Sequence, residues 1–188
     1  LNIIKLLKNK KISGMIISPL NSASIKNAIN DMVDSGISVM TINSDIPESK
    51  RLCFVGQDMM MAGRVAGELM GEILNGNGKV AIITSSTYLL CSSERKTAFE
   101  TVVANRYPNI EIIRVVETYE EKATAFQETL SLLKTVNDLS GIYITCGNVS
   151  EIAKAVKLMD KDKEIKIISF DLYPEVRSEE RRVGKECR

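Results

Sequence analysis

Histidine and tryptophan are both absent from the 188 residues. Without histidine, no Ser-His-Asp or Cys-His relay and no histidine-bearing metal site can be built. The four cysteines, Cys53, Cys91, Cys146 and Cys187, are scattered and show no C-x-x-C spacing. That pattern argues against a zinc ribbon, a dithiol redox centre and a disulfide scaffold. No run of 18 apolar residues occurs, so no membrane insertion is predicted. Charge of one sign is also missing. Lys and Arg number 25 against 24 Asp and Glu, and a net +1 gives no basic field for nucleic acid. No metal and no cofactor is expected.

What is present suits a soluble globular chain: 44% hydrophobic, 26% charged and 5% aromatic residues. The length fits one domain or two small lobes. Thiols with no evident pairing point to a reducing, cytoplasmic compartment. The first residues carry an amphipathic pattern, Ile3, Ile4, Leu6 and Leu7, which reads as a helix entered partway. Residues 177–188, RSEERRVGKECR, lack apolar periodicity and match the in-frame translation of a common sequencing adapter. The other reading is a solvated charged tail. The segment is set aside from fold reasoning as a scar would be; without it the net charge becomes −1.

Two patterns alternate over residues 1–176. Apolar runs predict strands at Gly14–Ser18, Ile37–Ile42, Leu52–Val55, Val80–Ile83, Ile110–Val116, Gly141–Thr145 and Ile165–Phe170. Helical spacing predicts helices over Ser22–Ser35, Met59–Leu74, Ser93–Tyr107, Lys122–Val136 and Val149–Asp160. Gly36 stands where a helix-ending glycine belongs. The strand runs are continuous rather than alternating, the mark of a sheet buried on both faces. Strand-helix alternation implies βαβ units and parallel sheets, hence an α/β fold. The boundary falls near Gly56-Gln57-Asp58, giving a partial N-terminal lobe over 1–57 and a C-terminal lobe over 58–176.

In open parallel sheets ligands sit beyond the carboxyl ends of the strands. Here those ends read Ser18-Pro19-Leu20, Asn43-Ser44-Asp45, Thr84-Ser85-Ser86, Glu117-Thr118, Cys146-Gly147-Asn148 and Asp171-Leu172. Hydroxyls and carboxamides dominate, which suits a neutral polar ligand better than a nucleotide or a metal. Gly76-x-Gly78-Lys79 precedes a strand instead of opening a helix, so it reads as a turn and not a phosphate loop. Glu120-Glu121 read as a negatively charged helix start. No nucleophile has a supporting base, and an enzyme is not expected.

Four motifs in order carry a family resemblance: Ser13–Pro19, Gly36–Asp45, Val55–Asp58 followed by Ala62-Gly63-Arg64-Val65-Ala66-Gly67, and Ile168–Glu175. Together they resemble the ligand-binding region of the type I periplasmic-binding-protein superfamily. The similarity is to lactose-repressor-type transcription regulators and to ribose-type sugar-binding proteins. The resemblance implies a two-lobed fold of doubly wound parallel sheets, truncated at both ends, that closes on a sugar or similar polar molecule between its lobes. It implies an effector-sensing domain of a regulator, a homodimer that meets DNA only through a missing N-terminal domain. The alternative is a periplasmic or lipid-anchored extracellular receptor that serves an ABC permease.

The same resemblance places six residues toward the ligand. Asn43 and Ser44 stand where the family has a polar pair, and a carboxamide can donate and accept at once; Asn43 could instead only shape a turn. Asp45 could accept from a hydroxyl or cap its loop. Arg95 matches the arginine of a helix start, where a planar fork of donors suits paired hydroxyls; the bland reading is a surface arginine. Either Thr145 or Asn148 faces the ligand after its strand. Asp171 would accept from ligand hydroxyls, or cap a helix. Tyr88 is a candidate stacking ring.

Overall fold

The computed structural model describes residues 1–10 and 12–170. The chain divides into two compact units. The first comprises Leu1–Met59 and Thr87–Glu94, the second Met60–Ser86 and the described residues from Arg95 onward.

The first unit holds α1 (Asn2–Lys8), β1 (Gly14–Ile17), α2 (Ala23–Asp34), β2 (Ser38–Ile42) and β3 (Cys53–Val55). Its three strands are parallel in the order β1-β2-β3. Local chemistry sets the ends of α2. The Ser22 hydroxyl accepts the Ile25 N–H at 3.4 Å at its start. At its end Gly36 adopts φ +84°, the Gly36 N–H donates to the Val33 carbonyl at 2.9 Å, and the Ile37 N–H donates to Met32 at 3.1 Å. That pair of bonds is a Schellman motif, and the glycine predicted to stop the helix carries it. Ile25, Ala28, Ile29 and Met32 lie at helical spacing and share a core with Ile4, Ile37, Val39 and Ile46.

Burial on both sheet faces, expected from the continuous apolar runs, is not found in this unit. Ile16, Ile42 and Val55 are 65%, 41% and 55% exposed. The register sets Ile16 beside Met40 and Ile42 beside Val55, and alternation puts all four on one face. On the other face Met15, Ile17 and Val39 pack with residues of α1 and α2.

The second unit contains α3 (Met59–Ile73, beginning one residue inside the first unit), β4 (Asn77–Thr84), α4 (Leu90–Arg106, from Arg95 on), β5 (Asn109–Glu117), α5 (Lys122–Thr135), β6 (Leu139–Ile144), α6 (Val149–Leu158) and β7 (Lys166–Ser169). Its sheet is parallel in the order β5-β4-β6-β7. Here the two-face expectation holds. Ala81, Ile83, Ile142 and Ile144 pack with Leu132, Leu133, Ile152 and Val156 of α5 and α6. The alternate residues Val80, Ile82 and Tyr143 pack with Ala66, Met70, Phe99 and Val103 of α3 and α4. The strands look uniformly apolar because successive side chains enter two different cores.

Two glycines bring α3 against α4. A Cβ on Gly63 would stand 2.2 Å from the Arg95 carbonyl oxygen, and one on Gly67 would stand 2.9 Å from Cβ of Val102. The Ala62-Gly63…Gly67 spacing is therefore a packing requirement. It sets the height at which the turn of α4 bearing Arg95 lies.

Candidate ligand-binding site

Buried polar side chains gather where the strands end. Ser44, Thr84, Ser85, Ser86, Thr118, Thr145 and Asn148 are all buried. Leaving such a group unpaired costs free energy, so the partners of each bear on its role.

In the first unit β2 ends in a tight turn. Asn43 takes φ +61°, its N–H donates to the Val55 carbonyl at 3.1 Å, and the Ser44 N–H donates to Ile42 at 2.6 Å. Asn43 thus does shape a turn, and it is exposed. Ser44 is fully buried, and its hydroxyl finds no hydrogen-bond partner among the described residues. Asp45 accepts from Thr41 Oγ1 and from Arg51 Nη2, each at 2.6 Å. Burial pushes its carboxyl up, but the Thr41 and Arg51 bonds outweigh this and hold it below the ordinary value. One oxygen serves Thr41 and the other Arg51, an arrangement that ties the loop; a carboxylate keeps lone pairs beyond these two. Glu94 belongs to the same unit. Burial first, then the Asp45 and Asp58 carboxylates, raise its pKa. Tyr88 is 69% exposed and its carbonyl accepts from the Asn21 N–H at 3.0 Å.

The second unit carries the denser network. Thr145 Oγ1 donates to Thr84 Oγ1 at 2.8 Å, joining the ends of β6 and β4. Thr118, just past β5, donates its N–H (2.8 Å) and its hydroxyl (3.2 Å) to the Thr84 carbonyl. Asn148 Nδ2 reaches Thr118 Oγ1 at 3.4 Å. Asn148 precedes α6 at its N-cap position, yet its side chain makes no capping bond. It turns to the strand-end network instead.

Arg95 is not a surface residue. It is 4% exposed, Nη1 donates to the Thr145 carbonyl at 3.0 Å, and the guanidinium lies 3.3 Å over the Phe170 ring. A carbonyl and an aromatic face together fix the plane of the fork. Sequence reasoning brought Arg95, Thr145 and Asn148 to this edge, and the structure brings all three onto it. Asp171 lies outside the described residues.

Sequence reasoning missed Tyr119. Thr118 and Glu121 close a turn with a 2.9 Å bond, and its central residues Tyr119 and Glu120 have φ +52° and +60°. Positive φ at both centres is the I′ geometry that Asn-Gly normally supplies. The turn holds the Tyr119 ring outward, 61% exposed, at the carboxyl end of β5. Glu120 is consequently no part of a helix start: its Oε2 accepts the Gly147 N–H at 3.3 Å, and α5 begins at Lys122. The available signal was an aromatic residue directly after the strand-end threonine.

At the opposite edge of this sheet Lys79, Glu111, Arg114 and Asp138 line a shallow cavity of about 380 Å³. A 2.8 Å Lys79–Asp138 ion pair bridges it. Among the described residues no cluster of acidic and thiol side chains could hold a metal ion, and no helix is long and apolar enough to cross a membrane.

Parallel sheets, polar carboxyl ends and a buried arginine at one of them are thus the features of this chain. Residues 1–178 match the model of the periplasmic binding protein domain. The chain belongs to that family. Its fold is the type I periplasmic-binding-protein fold, as expected. The solved structure of GanP, a glucose-galactose binding protein from Geobacillus stearothermophilus, is 31% identical with a TM-score of 0.87. The match covers 93% of this chain and 62% of that one. An ABC transporter solute-binding protein from Burkholderia graminis, solved with D-arabinose, is 27% identical with a TM-score of 0.87, covering 94% and 62%. XylFII is 27% identical with a TM-score of 0.89, covering 94% and 65%. This chain therefore spans under two thirds of these relatives. Nothing matches among curated protein sequences.

Proposed function

We propose that this periplasmic-binding-protein chain binds a small neutral sugar through the carboxyl ends of its strands, without chemistry. The observation that carries the reading is Arg95, a buried guanidinium locked by the Thr145 carbonyl and the Phe170 ring. A planar donor fork fixed in this way suits adjacent hydroxyls on one face of a sugar. Around it stand threonines and Asn148, which donate and accept without net charge. Tyr119 offers an exposed ring for the apolar C–H face of the sugar. From the first unit Asn43, Ser44 and Asp45 are proposed as further polar contacts, and Asp171 as an acceptor of ligand hydroxyls. The sugar-binding descriptions of GanP and the Burkholderia protein support the ligand class.

Calorimetric titration of the protein with D-glucose, D-galactose and D-arabinose tests the reading. Saturable binding of at least one, at micromolar or lower Kd, is expected. No heat with any of the three overturns it.

For the partner, the relatives favour a receptor that hands its sugar to an ABC permease, because the Burkholderia relative is a transporter's binding protein. A second reading is the effector domain of a cytoplasmic regulator, acting as a homodimer. Cys53, Cys91 and Cys146 enter no disulfide among the described residues, and this favours it, since thiols persist as such in a reducing compartment. Sequencing the intact gene separates them. A signal peptide or lipid-modified cysteine upstream fits the receptor, and a helix-turn-helix fits the regulator.

A further inference from the structure

Glu120 occupies a backbone position that its own chemistry does not favour. It is the second central residue of the Thr118–Glu121 turn, at φ +60°. In an I′ turn that position suits glycine, and a residue with a Cβ is strained there. Strain of this kind points to what the side chain does elsewhere. What glutamate adds is reach. Its Oε2 accepts the Gly147 N–H at 3.3 Å, from 27 residues away in the chain.

The turn and the loop after β6 are joined a second time. Asn148 Nδ2 donates to Thr118 Oγ1 at 3.4 Å, and the same hydroxyl lies 3.7 Å from the Cys146 sulfur. The turn is itself anchored to the end of β4: the Thr118 N–H donates to the Thr84 carbonyl at 2.8 Å, and the Tyr119 N–H to the Ser85 carbonyl at 2.7 Å. Residues 118–120 thus tie together the ends of β4, β5 and β6. Asn148 depends on such a tie. It sits at the N-cap position of α6 and makes no side-chain capping bond, so the helix start does not fix its carboxamide. The carboxamide turns to Thr118 instead, and the backbone amide one residue before it is the one that Glu120 holds.

We propose that Glu120 is a positioning residue for Asn148: by holding the Gly147 amide, it sets the direction from which the Asn148 carboxamide meets a ligand hydroxyl. The inference rests on the sugar-binding reading above. Glu120 does not itself touch ligand; it acts through Asn148. A loop already held in its binding geometry gives up less freedom when the ligand arrives, and the saving appears as affinity.

Two variants of the full chain test this. Glu120→Gln keeps a carbonyl acceptor at the same reach. Glu120→Asn tolerates the left-handed backbone better but draws the acceptor back by one methylene. In the ligand-free protein, the NMR signals of the Asn148 side-chain amide are expected to move in Glu120→Asn and to stay near their places in Glu120→Gln. In calorimetry with the sugar that binds best among D-glucose, D-galactose and D-arabinose, Glu120→Asn is expected to lose affinity by about three- to tenfold, the worth of one hydrogen bond, with Tm level or raised. Glu120→Gln is expected to retain most of the affinity. A merely structural turn residue would leave the Asn148 signals and the affinity in place in both variants. Unmoved Asn148 signals in Glu120→Asn overturn the inference whether or not sugar binds. So does an equal affinity loss in both variants, or an affinity loss matched by a lowered Tm. If the unaltered protein binds none of the three sugars while the Asn148 signals do move, the sugar-binding reading fails and the positioning role stands.

Discussion

The turn at Tyr119-Glu120 stores strain, and relieving it should stabilise the protein while weakening ligand binding. Both central residues sit in the left-handed region, at φ +52° and +60°. For a residue with a Cβ that conformation costs roughly 1–2 kcal/mol. Asparagine tolerates it best among non-glycine residues and leaves the unfolded chain no freer. Tyr119→Asn gives up little burial, because the ring is 61% exposed, together with one solvent-exposed bond from its hydroxyl to Glu117. The net expectation is a gain of about 1 kcal/mol. In a chain of this size that is a Tm rise of roughly 2–4 °C. Loss of the ring should at the same time remove about 1 kcal/mol of stacking, a fall of about fivefold in sugar affinity. Thermal unfolding and calorimetry on the same preparation measure both. A lower Tm would mean that the turn is not strained, and an unchanged affinity would take Tyr119 out of the site.

Other substitutions probe other links. Gly63→Ala drives a Cβ into the Arg95 carbonyl and should destabilise by roughly 1–3 kcal/mol, read as a lower urea midpoint, with sugar affinity falling as α4 shifts. Glu94 has its folded pKa raised by burial and by Asp45 and Asp58, so its contribution is present below the ordinary value of 4.5 and lost as pH rises through the folded value. Glu94→Gln should therefore raise stability at neutral pH and remove the loss of stability that sets in as pH rises above the ordinary carboxylate range, read in urea titrations. Arg95→Lys keeps the charge but loses the fork, and affinity should drop at least tenfold, about 1.4 kcal/mol, in calorimetry.

Much of this was legible in the sequence because the signals were periodic. The helices over 23–34, 59–73 and 122–135 begin and end within a few residues of the places their apolar spacing and glycines predict. The polar strand ends were legible from chain order alone, since a parallel sheet sends every carboxyl end to one edge. Burial was less so. A continuous apolar run says that both faces can be covered, not that they are, and Ile16 and Val55 stay exposed while Ile82 and Ile83 do not. Tyr119 was hidden because nothing in Thr118-Tyr119-Glu120-Glu121 resembles the Asn-Gly chemistry of an I′ turn. The bond between Asp45 and Arg51 and the stack of Arg95 on Phe170 depend on tertiary placement, which no local pattern encodes.

Sugar is expected to be met by the carboxyl edge of the second unit's sheet. Backbone amide NMR, recorded during titration with the sugar that binds best, tests it most directly. The largest shifts are expected at Thr84–Ser86, Thr118–Tyr119 and Thr145–Asn148. Shifts confined to the other edge, around Lys79, Glu111 and Asp138, would contradict it.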